Sequence, residues 1–154
     1  MTLIVHAERA HARLSASGAH RWMNCPGSVR LEEAFPDTSS AYADEGTLTH
    51  EFVEWEMIKR FKLRPDLTPQ KITAEVGKLK KKEHYAPEML THATAFVDKI
   101  QTLADENKGI IMSETKFDLT DYIPEGFGTC DAAIIGLEEL VVADFKYGQG
   151  VDVS

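Results

Sequence analysis

The chain has 154 residues, 43 % hydrophobic and 27 % charged, with a formal net charge of −8 at neutral pH. That composition excludes a disordered chain and suffices for a single domain, residues 1–154, with its own core. No run reaches the ~18 apolar residues of a membrane span, and two cysteines exclude a disulfide framework or a four-cysteine zinc site. The opening Met1-Thr2-Leu3-Ile4-Val5-His6 lacks the basic region and apolar length of a signal peptide, so a reducing cytoplasm is expected. The charge is uneven. Residues 1–84 carry 13 basic against 12 acidic residues, whereas residues 85–154 carry 4 lysines against 13 acidic residues. Such an acidic back half repels nucleic-acid phosphates unless a cation intervenes.

In chain order, residues 12–107 read as a helical part and residues 109–148 as a β-meander. After a polar stretch from His6 to Leu14, Ser15 or Ser17 is placed to cap a short helix carrying Ala19, Trp22 and Met23. Asn24-Cys25-Pro26-Gly27 ends it, and a second short helix is expected over Ser28 to Ala34, before Pro36. Ala41 to Lys62 is strongly amphipathic, with Leu48, Phe52, Trp55 and Ile58 on one line and Val53, Met57 and Phe61 beside it. Gly46 is a poor helix former, so the regular helix is expected to begin at Thr47. Arg64 to Thr68 reads as a loop, and Lys78 to Lys82 as a basic run of no assigned structure. From Pro87 a helix should run to Asn107 on Leu90, Ala93, Phe96, Val97, Ile100 and Leu103. Beyond Gly109 the period changes to that of strands, over 110–117, 128–135 and 140–146, the last two forming an antiparallel hairpin.

Asp144 and Lys146 are two apart on the third expected strand and so share a face. The hairpin can set Asp131 beside Asp144. Carboxylates in an apolar strand pattern are costly unless paired or bound to a cation, and a divalent ion resolves their repulsion. Such an ion acts as a Lewis acid and lowers the pKa of a bound water. A neighbouring lysine can orient or deprotonate that water and offset charge in the transition state.

Gly128-Thr129-Cys130-Asp131 followed by Asp144-Phe145-Lys146 resembles the signature of the PD-(D/E)XK nuclease superfamily in its RecB-like form. Leu14-Ser15-Ala16-Ser17, running on to Asn24-Cys25-Pro26-Gly27, resembles the Ser-x-Ser…Cys-Pro motif of those nucleases. Gly46-Thr47-Leu48-Thr49-His50 resembles their Gly-x-x-x-His helix. The likeness covers about residues 12 to 154 and points in particular to a phage-borne RecB-like family.

The resemblance implies an α/β, restriction-endonuclease-like core, helices packed on a mixed sheet. It implies a metal-dependent deoxyribonuclease, an exonuclease hydrolysing phosphodiester bonds in phage DNA recombination or processing. His50, Asp131 and Asp144 would then be ligands of Mg²⁺ or Mn²⁺, with Asp131, Asp144 and Lys146 catalytic. Glu54, one helical turn after His50, and Glu114, on the preceding strand, are candidates to hold an outer-sphere water or the imidazole. Arg21, Lys80 and Lys81 are weaker candidates for contact with nucleic acid.

No iron–sulfur cluster is expected within one chain, because Cys25 lacks the three companion cysteines. The family's core continues into a further helix and strand that this sequence lacks. Either the sequence is a fragment or a partner chain completes the sheet, and a homo-oligomer is expected, beside DNA and a recombination protein or helicase as partners. The rival expectation is a catalytically inactive or truncated nuclease-fold protein that serves as a DNA- or protein-binding module. A small-molecule hydrolase is disfavoured, since neither Gly-x-Ser-x-Gly nor His-Glu-x-x-His occurs.

Overall fold

A computed structural model describes residues 12–15, 18–32, 34–35 and 41–148. Among these residues are five helices, α1 (Ala19–Asn24), α2 (Ser28–Glu32), α3 (Ala41–Phe61), α4 (Pro69–Leu79) and α5 (Pro87–Asn107). Three strands follow, β1 (Ile110–Asp118), β2 (Phe127–Ile135) and β3 (Leu140–Ala143), forming one sheet in the order β1-β2-β3. The fold is therefore mixed α/β, with helices first and an antiparallel meander last. By internal contacts it divides into two compact units, Met1–Thr38 with Lys116–Thr129, and Ser39–Thr115 with Cys130–Ser154.

In the first unit, α1 begins after Gly18, not after a capping serine. The Ser15 hydroxyl accepts the Gly18 amide at 3.1 Å, and the Ser15 carbonyl accepts the Trp22 indole N–H at 2.8 Å. Ser17 lies outside the described residues. The turn between β1 and β2 is closed by the Leu119 amide on the Gly126 carbonyl at 3.0 Å, and Lys116 lies over the Phe127 ring.

The second unit holds the core. Leu48, Phe52, Val53 and Met57 of α3 pack with Met89, Ala93, Val97, Ile100 and Ala104 of α5, and with Ala132, Ile134 and Phe145. The line read on α5 is thus shifted. Met89 and Ala104 are buried, while Leu90, Phe96 and Leu103 lie at the core's margin. Helix α3 starts at Ala41 and passes through Gly46, six residues before the expected start. One glycine costs a helix interior about 1 kcal/mol, and packing of the following turns outweighs it.

Helix α4 was not foreseen in the basic region. Thr68 caps it by accepting the Lys71 amide at 3.3 Å, Pro69 occupies its first turn, and Ile72 and Leu79 are buried. The spacing Ile72–Val76–Leu79 and the Thr68-Pro69 start are its signature in the sequence.

Lys108 at φ 49° ends α5 in the left-handed conformation. Gly109 follows because a Cβ there would fall 2.4 Å from Ile134 Cγ2. Strand β1 contains a residue at positive φ, Glu114 at 47°, within an otherwise regular alternation. Strands β2 and β3 pair antiparallel from Ile135↔Leu140 to Ala132↔Ala143, as the hairpin reading required. The strand expected over 140–146 ends at Ala143, because the next inward amide, that of Phe145, donates to a side chain instead of a strand. Ile110, Ile135, Leu140 and Val142 leave apolar surface exposed on the sheet.

Candidate active site

The predicted site residues other than Arg21, Lys80 and Lys81 lie in the second unit around the end of the β2–β3 ladder. The last ladder pair is Ala132↔Ala143, so the next positions on the two strands are Asp131 and Asp144. Helix α3 presents His50 to this point because Leu48, Phe52 and Val53, its neighbours one face round, are anchored in the core. His50 Nδ1–H donates to Asp131 Oδ1 at 3.2 Å. The other carboxylate oxygen of Asp131 accepts the Phe145 amide. Asp131 is therefore tied to a helix by one oxygen and to the chain after β3 by the other.

Phe145 makes that junction firm. Its ring is buried, with its centroid 5.4 Å from that of His50, edge-on, and 5.2 Å from that of Phe96 on α5. Asp144 and Lys146 flank it and stay outside the core. Their side chains are 55 % and 73 % exposed, and Lys146 Nζ meets Asp144 Oδ2 at 2.7 Å. The expected shared face of Asp144 and Lys146 thus holds, although the two lie beyond the strand proper. In the sequence Phe145 is simply the apolar residue between Asp144 and Lys146. Its alternation with two charged neighbours was the available signal, whereas its amide donation has none.

The electrostatics join these groups. The hydrogen bond to Asp131 holds the His50 imidazolium above its ordinary range, against burial, with help from the charges of Asp131, Glu114 and Asp144. Burial pulls the Asp131 carboxyl upward, but the His50 bond, the Phe145 amide and the charges of His50 and Lys146 hold it below its usual value. Glu114 behaves oppositely. Burial, then the charges of Asp131 and Glu54, push its carboxyl up, and His50 only partly offsets them. Glu54 and Glu114 border a cleft of about 290 Å³ together with Ile58, Arg64, Met112 and Ser113. The Ser113 Oγ in its wall is buried with no hydrogen-bond partner among the described residues.

Of the three basic candidates, Arg21 belongs to the first unit and Lys80 and Lys81 to the second. Arg21 is on α1 in the first unit and is paired with Glu32 of α2. Lys80 and Lys81 are exposed just past the end of α4, between Lys78, which pairs with Glu75, and Lys82, which pairs with Glu51.

An imidazole nitrogen with carboxylate oxygens is a donor set that suits Mg²⁺ or Mn²⁺. Among the described residues, no three His, Cys, Asp or Glu side chains are gathered closely enough to hold an ion as they stand. Two of the donors, His50 and Asp131, bond to each other, and Asp144 is turned to Lys146. The donor chemistry fits such an ion, with Asp144 exposed and held only by a lysine.

Residues 11–154 match the DUF2800 family, described as a protein of unknown function, and the chain belongs to it. No solved structure matches the chain. Among the described residues, no helix is long and apolar enough to cross a membrane.

Proposed function

We propose that the chain is a metal-dependent deoxyribonuclease, an exonuclease acting in phage DNA recombination or processing, built on a restriction-endonuclease-like core. The observation that carries this reading is the junction at Phe145. One buried ring and one amide bring Asp131, Asp144, Lys146 and the helix-borne His50 to the same end of the sheet.

His50, Asp131 and Asp144 are the residues that would hold Mg²⁺ or Mn²⁺. The ion, when bound, supplies a Lewis acid and a water acidic enough to attack near neutral pH. Asp131 is already fixed by two hydrogen bonds and needs little reordering to serve. Lys146 donates a hydrogen bond that directs the attacking water, and its positive charge offsets charge on the pentavalent phosphorus in the transition state. Glu114, whose carboxyl is held toward its neutral form, is suited to hydrogen-bond a water beside His50.

The test incubates the chain with end-labelled linear and closed circular DNA, with Mn²⁺, Mg²⁺ or chelator, beside Lys146→Ala. Metal-dependent loss of linear DNA alone, absent in the variant, is the expected result. Cleavage by both proteins sinks the site.

One observation favours a second reading, a catalytically inactive nuclease-fold binding module. Asp144 and Lys146 neutralise each other at 2.7 Å, and among the described residues no three-donor group is assembled. Calorimetry with Mn²⁺ separates the two readings. A nuclease binds the ion stoichiometrically and loses it in Asp144→Ala, and an inactive module shows no such binding. The exposed Leu140 and Val142 of β3 support the further proposal of a second copy at this edge, which sedimentation tests.

A further inference from the structure

A second cleft, of about 650 Å³, has Phe145 in its wall. Its walls include Glu45 of α3, Glu88, His92 and Phe96 of α5, and Lys146 and Tyr147 after β3. The volume is that of a small-ligand site. The His92 and Tyr147 rings meet at 5.7 Å between centroids and 61° between planes, leaving aromatic surface in the wall. Gly148, at φ 110°, turns the chain directly after Tyr147.

The charge in this cleft selects against phosphate. Glu45 and Glu88 stand near the Tyr147 phenol, which burial and these two charges push up. Among the described residues, Lys146 is the one lysine or arginine in the wall, and Asp144 already holds it. Carboxylates repel the nucleic-acid backbone, but they accept hydrogen bonds from the amino groups of bases. Aromatic faces stack on bases of any sequence. Lys146 and Tyr147 line the same cleft, so a base held on Tyr147 leaves its own phosphate on the side of Lys146.

We infer that this cleft is a nucleobase subsite, in which a base of single-stranded DNA stacks on the Tyr147–His92 pair and Glu88 accepts from its amino group. The subsite rests on the nuclease reading and adds to it the strand form and base contact of the substrate. Tyr147 and His92 act as positioning residues.

The test uses a short single-stranded oligonucleotide carrying 2-aminopurine, in Ca²⁺ so that a cation offsets the acidic charge, read by anisotropy and by quenching of the base's fluorescence. Wild-type protein should bind with quenching and prefer oligo-dC to oligo-dT. Tyr147→Ala and His92→Ala should each weaken binding roughly tenfold and restore the fluorescence. Tyr147→Phe should retain the quenching, and Glu88→Ala should erase the preference for dC. His92 is exposed, so its variant keeps the fold even if Tyr147→Ala does not.

Wild-type cleavage with Mn²⁺ is measured in parallel. Cleavage combined with unchanged affinity in both ring variants overturns the subsite and leaves the nuclease reading standing. Ring-dependent binding without cleavage keeps the subsite and overturns the nuclease. Neither binding nor cleavage by the wild type overturns both.

Discussion

His50 and Asp131 meet with side chains 33 % and 13 % exposed, whereas Asp144 and Lys146 meet with side chains 55 % and 73 % exposed. The first pair is fastened to a core helix and to a backbone amide. The second pair is fastened only to itself, on either side of a buried phenylalanine. Membership of one candidate site thus conceals different physical duties. The inner pair contributes to the fold as well as to the site, and the outer pair is free to serve the site alone.

The largest expected effect lies on the outer pair. Lys146→Ala should lower cleavage by about 10²–10⁴-fold. Its urea midpoint should stay close to wild type, because an exposed ion pair contributes at most about 1 kcal/mol. A large loss of stability in this variant would break the division drawn here.

Phe145→Ala tests the joint between the halves. Removing a buried phenylalanine costs about 3–5 kcal/mol, and cleavage should disappear with it. Phe145→Leu should recover most of the stability, as read by urea unfolding.

Asp131→Ala should cost about 1–3 kcal/mol, since it leaves the Phe145 amide without its acceptor. It should also flatten the pH profile of stability in chelator. His50 is raised above 6.5, so its contribution is full below that value and is lost as pH rises through the folded pKa. Asp131 is lowered from 3.8, so its contribution is full above that value and is lost as pH falls through the folded pKa. The inner pair should therefore stabilise most between pH 3.8 and 6.5. Unfolding across that range, with and without Asp131, measures it.

The smallest effect on stability is expected for Asp144→Asn, within about 0.5 kcal/mol of wild type, while its cleavage should fall as far as that of Lys146→Ala. A change of several kcal/mol would assign Asp144 to the inner group.

The sequence made some of this legible and concealed the rest for identifiable reasons. Helix α5 matched its expected ends because Pro87 opens it and Asn107-Lys108-Gly109 closes it, both local signals. The start of α3 was misplaced because propensity at Gly46 was weighed without the packing that follows. The β2–β3 hairpin was clear from alternation, but the end of β3 depends on where a backbone amide finds its acceptor. His50 and Asp131 stood 81 positions apart and were connected only through the motif resemblance, while the structure shows them in contact. Tyr147 and His92 carried no pattern, since their meeting arises from the fold of the chain after β3.

The left-handed backbone at Glu114 sets two kinds of selection against each other. Holding a non-glycine residue there costs about 1–2 kcal/mol, so heat challenge of a random library should enrich Gly at position 114. If the carboxylate serves the site, selection for turnover should retain Glu at the same position. Sequencing the survivors of both screens would reveal whether this residue is kept for durability or for work.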